Sequence, residues 1–116
     1  MRVLLVDDDA AYLSGCAAIL TNDGHDVVTS LAFNEGRRQL AEDDFDALIT
    51  DVRLGAYNGL HLIALASPSM IKIALSAFPD PVIRRDAEQA GAQFVVKPPD
   101  CAAVSALLPR TDHASP

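Results

Sequence analysis

The sequence predicts a single α/β domain on a doubly wound, five-stranded parallel sheet of order 2-1-3-4-5, with helices on both faces. Short apolar runs alternate with segments of helical period, and no long Pro/Gly/Ser linker or internal repeat interrupts the series. The chain has 116 residues, 50% of them hydrophobic, which is enough for one buried core and leaves no room for a second domain. Four of the apolar runs also end in chemistry-bearing groups. Val3-Leu4-Leu5-Val6 leads into Asp7-Asp8-Asp9, Ala47-Leu48-Ile49-Thr50 into Asp51, Ile71-Lys72-Ile73-Ala74-Leu75 into Ser76, and Phe94-Val95-Val96 into Lys97-Pro98. As parallel strands of one sheet, these runs bring all of those groups to its C-terminal edge, where open α/β sheets bind ligands. The strand order is assumed from the strand count alone.

Taken in order, the first helix should open at Asp9, whose carboxylate can cap free N–H groups, with Leu13, Ala17 and Leu20 on its inner face and Gly24 at its end. Residues 25–30 read as the second strand and residues 34–42 as a weakly apolar, peripheral helix. Asp43-Asp44-Phe45-Asp46 turns the chain into the third strand. A Gly-rich loop over residues 55–59 precedes a short helix from Leu60 to about Ala66, which Ser67-Pro68-Ser69 breaks. Asp80-Pro81 starts the next helix, since Asp caps and Pro tolerates the first helical position. That helix should run to about Ala90 and end at Gly91. Asp100 should open a last helix with Val104, Leu107 and Leu108 inward, and Pro109 should end it. Residues 1–109 form the expected domain, and residues 110–116 a polar tail.

Nine basic against sixteen acidic residues give a net charge of -7, which disfavours direct binding to nucleic acid or an anionic membrane. No run approaches the roughly 18 apolar residues of a membrane span, so a cytoplasmic protein is expected. Cys16 and Cys101 lack CxxC or metal-ligand spacing and read as small core residues, with nothing arguing for an oxidising compartment. His25, His61 and His113 are scattered and read as structural or solvated.

With the first and third strands adjacent at the switch point, Asp7, Asp8 and Asp51 should meet. Three carboxylates in one crevice repel one another, and a hard divalent cation, Mg²⁺ or Mn²⁺, is the natural compensation. Asp8 and Asp51 would ligate directly, Asp7 through water, and the backbone carbonyl of Arg53 would complete the set. Asp51 beside such an ion, with the Lys97 ammonium and the Ser76 hydroxyl opposite, is a plausible acceptor for a phosphoryl group. Each group also has a plain structural reading: cap and loop charge for Asp7 to Asp9, a cap for Asp51, a strand-end serine for Ser76, a snorkelling Lys97, and a core aromatic for Phe94.

These motifs, with Leu48-Ile49-Thr50-Asp51-Val52-Arg53-Leu54 followed by Gly59, Ser76-Ala77, and Gly91-Ala92 before Val95-Val96-Lys97-Pro98, resemble the receiver domain of two-component response regulators over nearly the whole chain. The resemblance implies a flavodoxin-like (CheY-like) fold. It implies Asp51 as phosphoacceptor, Asp7 and Asp8 as the acidic metal-binding pair, Ser76 as switch hydroxyl, Phe94 as switch aromatic, and Lys97 as the lysine that meets the phosphoryl group. The implied partners are a histidine kinase or histidine phosphotransfer protein and a downstream protein target. The chain is expected as a monomer or weak homodimer, and as either a stand-alone receiver or part of a longer regulator.

The sequence departs from the pattern in four places. Gly55 stands where proline is usual, only Gln93 separates Gly91-Ala92 from Phe94, Pro99 replaces an aromatic, and the stretch from Gly59 to Ile71 is short. Three other readings compete. A small haloacid dehalogenase-like phosphohydrolase would use Asp7 and Asp9. A flavodoxin-like cofactor module would need a hydroxyl- and glycine-rich loop where Asp7-Asp8-Asp9 stands. A receiver-like interaction module would have lost phosphorylation.

Overall fold

The computed structural model describes residues 1–98 and 101–109. The elements run β1 (Arg2–Val6), α1 (Ala10–Asn22), β2 (Asp26–Ser30), α2 (Phe33–Glu42), β3 (Ala47–Asp51), β4 (Arg53–Leu54), β5 (Tyr57–Asn58), α3 (Leu60–Leu65), β6 (Ile71–Ser76), α4 (Pro81–Gln89), β7 (Gln93–Val96) and α5 (Ala102–Ser105). The main sheet is parallel throughout, in the order β2-β1-β3-β6-β7. Counting only these five strands, that is the predicted 2-1-3-4-5 order. β1 and β3 lie side by side, with Val6 opposite Thr50, so the residues after each strand emerge together.

Strand side chains alternate between the two faces, and the core divides accordingly. Val3, Leu5, Ala47, Ile49, Ile73 and Leu75 pack with Leu13, Leu20, Val104 and Leu108 of the α1/α5 layer. Leu4, Val6, Leu48, Ala74 and Phe94 face Phe33, Leu62, Ile63 and Ala87 of the α2/α3/α4 layer. Both faces are covered, which is why the central strands read as continuous apolar runs rather than alternating ones.

The predicted caps form. The Asp9 carboxylate accepts the N–H groups of Ala11 and Tyr12, and that of Asp80 accepts those of Val82 and Ile83, with Pro81 opening α4. The second strand starts one residue later than expected, because the His25 N–H still bonds the Leu20 carbonyl in the closing turn of α1. The loop predicted over residues 55–59 is partly a small antiparallel hairpin, β4–β5. Its two-residue turn has φ of +60° at Gly55 and no positive φ at Ala56, the pattern of a type II′ turn, whose first central position calls for glycine. That requirement accounts for Gly55 at a position where proline, with φ locked near −65°, would not fit.

Two further expectations are corrected. The last helix is four residues long, Ala102–Ser105, followed by a tight turn in which the Leu107 and Leu108 N–H groups bond carbonyls three residues back. Pro109 disfavours helical backbone at the residue before it, which shortens the element. Val104 and Leu108 still point inward, while the cap predicted at Asp100 lies outside the described residues.

Cys16 and Cys101 are buried, as expected of core residues, but they are joined as a disulfide across 85 residues of sequence, with Cα atoms 5.0 Å apart. The reason is topological. In this strand order the first and last helices share one face of the sheet, which brings Cys16 of α1 against the residue that opens α5.

Candidate functional site

The C-terminal edges of β1, β3, β6 and β7 converge on one acidic crevice. Asp7 follows β1 and is buried, its N–H bonded to the Ser30 carbonyl and its Oδ1 accepting the Asp9 N–H at 2.9 Å. Asp8 is exposed, and its Oδ2 accepts the Gly55 N–H at 3.2 Å. Asp51 ends β3 and is 8% exposed. One carboxylate oxygen from each of the three lies within 4.8 Å of the others. The expectation that the switch point gathers these three residues is met.

Lys97, just past β7, is held by its own N–H to the Ser76 carbonyl at 2.6 Å. Its ammonium stands 2.7 Å from Asp7 Oδ2 and 3.9 Å from Asp51 Oδ2. Burial works to lower the Lys97 pKa, but the Asp7 carboxylate, with Asp51 and Asp9 behind it, outweighs burial and raises it. Lys97 is therefore a fixed positive charge. Burial raises Asp51, the Asp7 charge raises it further, Lys97 pulls it back, and Asp8 and the Arg53 backbone make smaller contributions, leaving its pKa at about 6.

This donor set fits a hard divalent cation. It is all oxygen, it carries more negative charge than Lys97 neutralises, and Asp7 Oδ2 is buried with no donor in hydrogen-bonding alignment. Arg53, Ser76 and Phe78 line a cleft of about 290 Å³ with Asp8 and Asp51. A larger hollow of about 690 Å³ lies between the end of α1 and α5, far from these groups. There Ser105 is hydrogen-bonded to Asp23, and His25 to the amino terminus.

Ser76 sits on this edge, but its hydroxyl donates to the Phe78 carbonyl at 2.9 Å and not to Asp51. Phe94 is buried, and the Arg84 guanidinium lies 5.1 Å from its ring centroid. Asp9 is committed to capping α1, so Asp7-x-Asp9 leaves no second carboxylate free for acid–base work of the phosphohydrolase kind.

Three contributions to the site were not foreseen from the sequence. Tyr12 places its ring 4.2 Å from the Lys97 ammonium, Gly55 supplies the N–H to Asp8, and Thr50 is buried with its hydroxyl bonded to the Asp51 carbonyl. The signal for Tyr12 was its position three residues after the Asp9 cap. That spacing puts it in the first turn of α1, beside the strand edges.

Residues 3–108 match the family of response regulator receiver domains. The chain is 35% identical over 101 residues to the alginate biosynthesis transcriptional regulatory protein AlgB of Pseudomonas aeruginosa, covering 84% of this chain and 22% of that protein. It is 36% identical over 105 residues to the transcriptional regulatory protein GlrR of Escherichia coli K12, covering 85% and 23% respectively. The chain thus spans about a fifth of the length of these relatives. A CheY-like response regulator receiver domain protein from Methanospirillum hungatei JF-1 has a similar structure, with a TM-score of 0.83 at 27% identity over 89% of this chain and 86% of that one. A doubly wound sheet with three aspartates and a lysine gathered at its switch point, and a family match over nearly its whole length, place this chain in the response regulator receiver domain family.

Proposed function

We propose that this receiver takes a phosphoryl group onto Asp51 from the phosphohistidine of a histidine kinase or phosphotransfer protein, and that it acts as a signalling phosphoacceptor rather than a turnover enzyme. The supporting observation is the convergence of Asp7, Asp8 and Asp51 within 4.8 Å, with the Lys97 ammonium 3.9 Å from Asp51. A raised pKa makes Asp51 a more basic carboxylate than usual while leaving it mostly ionised at neutral pH. One Asp51 oxygen attacks phosphorus as the bond to the histidine nitrogen breaks; the donor ring, protonated at its other nitrogen, takes the bonding pair and leaves as neutral imidazole, giving an acyl phosphate on Asp51.

Asp8, Asp51 and the Arg53 carbonyl would hold Mg²⁺ or Mn²⁺, with Asp7 acting through water. That ion supplies charge neutralisation for the phosphoryl oxygens. Lys97 neutralises the same oxygens from the opposite side. The new group carries about -1.5 to -2 charge in place of the single charge of the Asp51 carboxylate, and draws the Ser76 hydroxyl away from the Phe78 carbonyl. Movement of Ser76 then alters the space available to Phe94 and shifts an existing equilibrium between two surfaces. A downstream protein would read that surface.

No described helix is long and apolar enough to cross a membrane, and a cytoplasmic setting beside a kinase suits the reading. The receiver domain is taken as residues 1–109, a reading supported by the family match over residues 3–108. The test compares amide NMR shifts with and without beryllofluoride and Mg²⁺. Shifts at Asp51, Ser76, Phe94 and α4 are expected, and a spectrum unchanged around Ser76 and Phe94 rejects the switch.

A further inference from the structure

We propose that Tyr12 is a positioning residue for Lys97, holding its ammonium at the phosphoryl-accepting edge. The inference rests on the phosphoacceptor reading of Asp51 and assigns a role to a residue which that reading leaves idle. A lysine head on a four-carbon stem has much rotamer freedom to lose, so it meets a target reliably only if several contacts restrict it.

Two such contacts are already described, the backbone bond to Ser76 and the Asp7 carboxylate. The third is the Tyr12 ring, 4.2 Å from the ammonium. Tyr12 is itself fixed at two points. Its N–H donates to the Asp9 cap at 3.1 Å, and its hydroxyl donates at 2.8 Å to the carbonyl of Pro98, the residue directly after Lys97. One turn further along α1, Cys16 is bonded to Cys101, so the same helix face grips both the Lys97-Pro98 segment and the start of α5.

The ring has a particular use here. Asp7 draws the ammonium to 2.7 Å, whereas Asp51 lies 3.9 Å away, so contact with a phosphoryl group on Asp51 requires the lysine head to shift. The Asp7 carboxylate opposes that shift, because its attraction is concentrated at one close oxygen. The face of an aromatic ring attracts a cation over a broad area, and so restrains Lys97 while letting the head slide toward Asp51.

The test compares wild type with Tyr12→Phe, which keeps the ring, and Tyr12→Leu, which removes it. In the metal-free protein the Lys97 ε-methylene proton resonance should be shifted upfield by the ring in wild type and Tyr12→Phe, and should return to an ordinary position in Tyr12→Leu. Mg²⁺ affinity by calorimetry should be equal in all three, since no carboxylate is altered. The rate of phosphoryl uptake from acetyl phosphate should fall about tenfold in Tyr12→Leu and stay within about threefold of wild type in Tyr12→Phe.

A Tyr12→Leu rate within about twofold of wild type overturns the inference while leaving the phosphoacceptor reading intact. Parallel loss of rate and Mg²⁺ affinity overturns it as well, because it marks general disruption. A wild-type chain that takes no phosphoryl group overturns both readings.

Discussion

Burial of the Asp51 carboxylate weakens the metal-free fold. Its pKa rises from 3.8 to about 6 on folding, chiefly through burial. Between those values the folded chain keeps a proton that the unfolded chain has released, so stability falls as pH climbs from about 4 to about 6 and the loss persists above. The loss amounts to about 3 kcal/mol at most. Asp51→Asn should therefore stabilise the metal-free chain at pH 7.5 by about 1 to 3 kcal/mol, and by less at pH 5. Urea denaturation at both pH values checks this, and a variant no more stable than wild type at pH 7.5 contradicts it. Two glycines separate steric from conformational demands. A Cβ on Gly59 would lie 2.0 Å from the Asp51 carbonyl oxygen and 2.9 Å from Thr50 Oγ1, whereas one on Gly55 meets open space but needs φ of +60°. Gly59→Ala should cost about 3 kcal/mol or more and disturb Asp51, and Gly55→Ala about 1 to 2 kcal/mol, both read from denaturation midpoints. At this scale the sequence revealed the charged groups, because their place after apolar runs is visible. It did not reveal Gly55 as a partner of Asp8, because that contact spans a turn whose geometry leaves no periodic trace.

Among the elements, those marked by caps, breakers or apolar runs were legible, the six-residue α3 included, and the two-residue strands were not. α1 and α4 announce themselves by Asp caps and terminal glycines. β4 and β5 have two residues each, too few for alternation to register, and so were read as loop. The hairpin nevertheless has a firm seat, since Leu54 is buried and Tyr57 stacks on Phe33 with ring centroids 4.9 Å apart. The disulfide could have been inferred only by carrying the topology one step further, to the adjacency of α1 and α5. It closes a long loop, and replacing both cysteines with serine should cost up to about 4.5 kcal/mol, the loop-entropy limit. Because cytosolic thiols are generally kept reduced, the bond's state will depend on where the chain resides. Alkylation followed by intact-mass measurement should modify both cysteines only after reduction. Two alkylated thiols in the oxidised, unreduced protein would contradict the pairing.

At the scale of the molecule, the sheet order does the work. Setting β1 beside β3 turns two apolar runs more than forty residues apart into neighbours, and it crowds three carboxylates that water would otherwise separate. The order was assumed from the count of alternating strands and helices, and the observed strand pairing agrees with it. The hydroxyl orientation of Ser76 and the Arg84 cover on Phe94 were not legible, because they depend on side-chain packing. If the crowded carboxylates await a cation, Mg²⁺ should raise the melting temperature progressively with concentration, and Asp8→Asn should abolish most of that rise. Intact-mass spectrometry after incubation with acetyl phosphate and Mg²⁺ tests the central claim most directly. One added phosphoryl group on wild type and none on Asp51→Asn is the predicted result, whereas no addition, or equal addition to both chains, would contradict it.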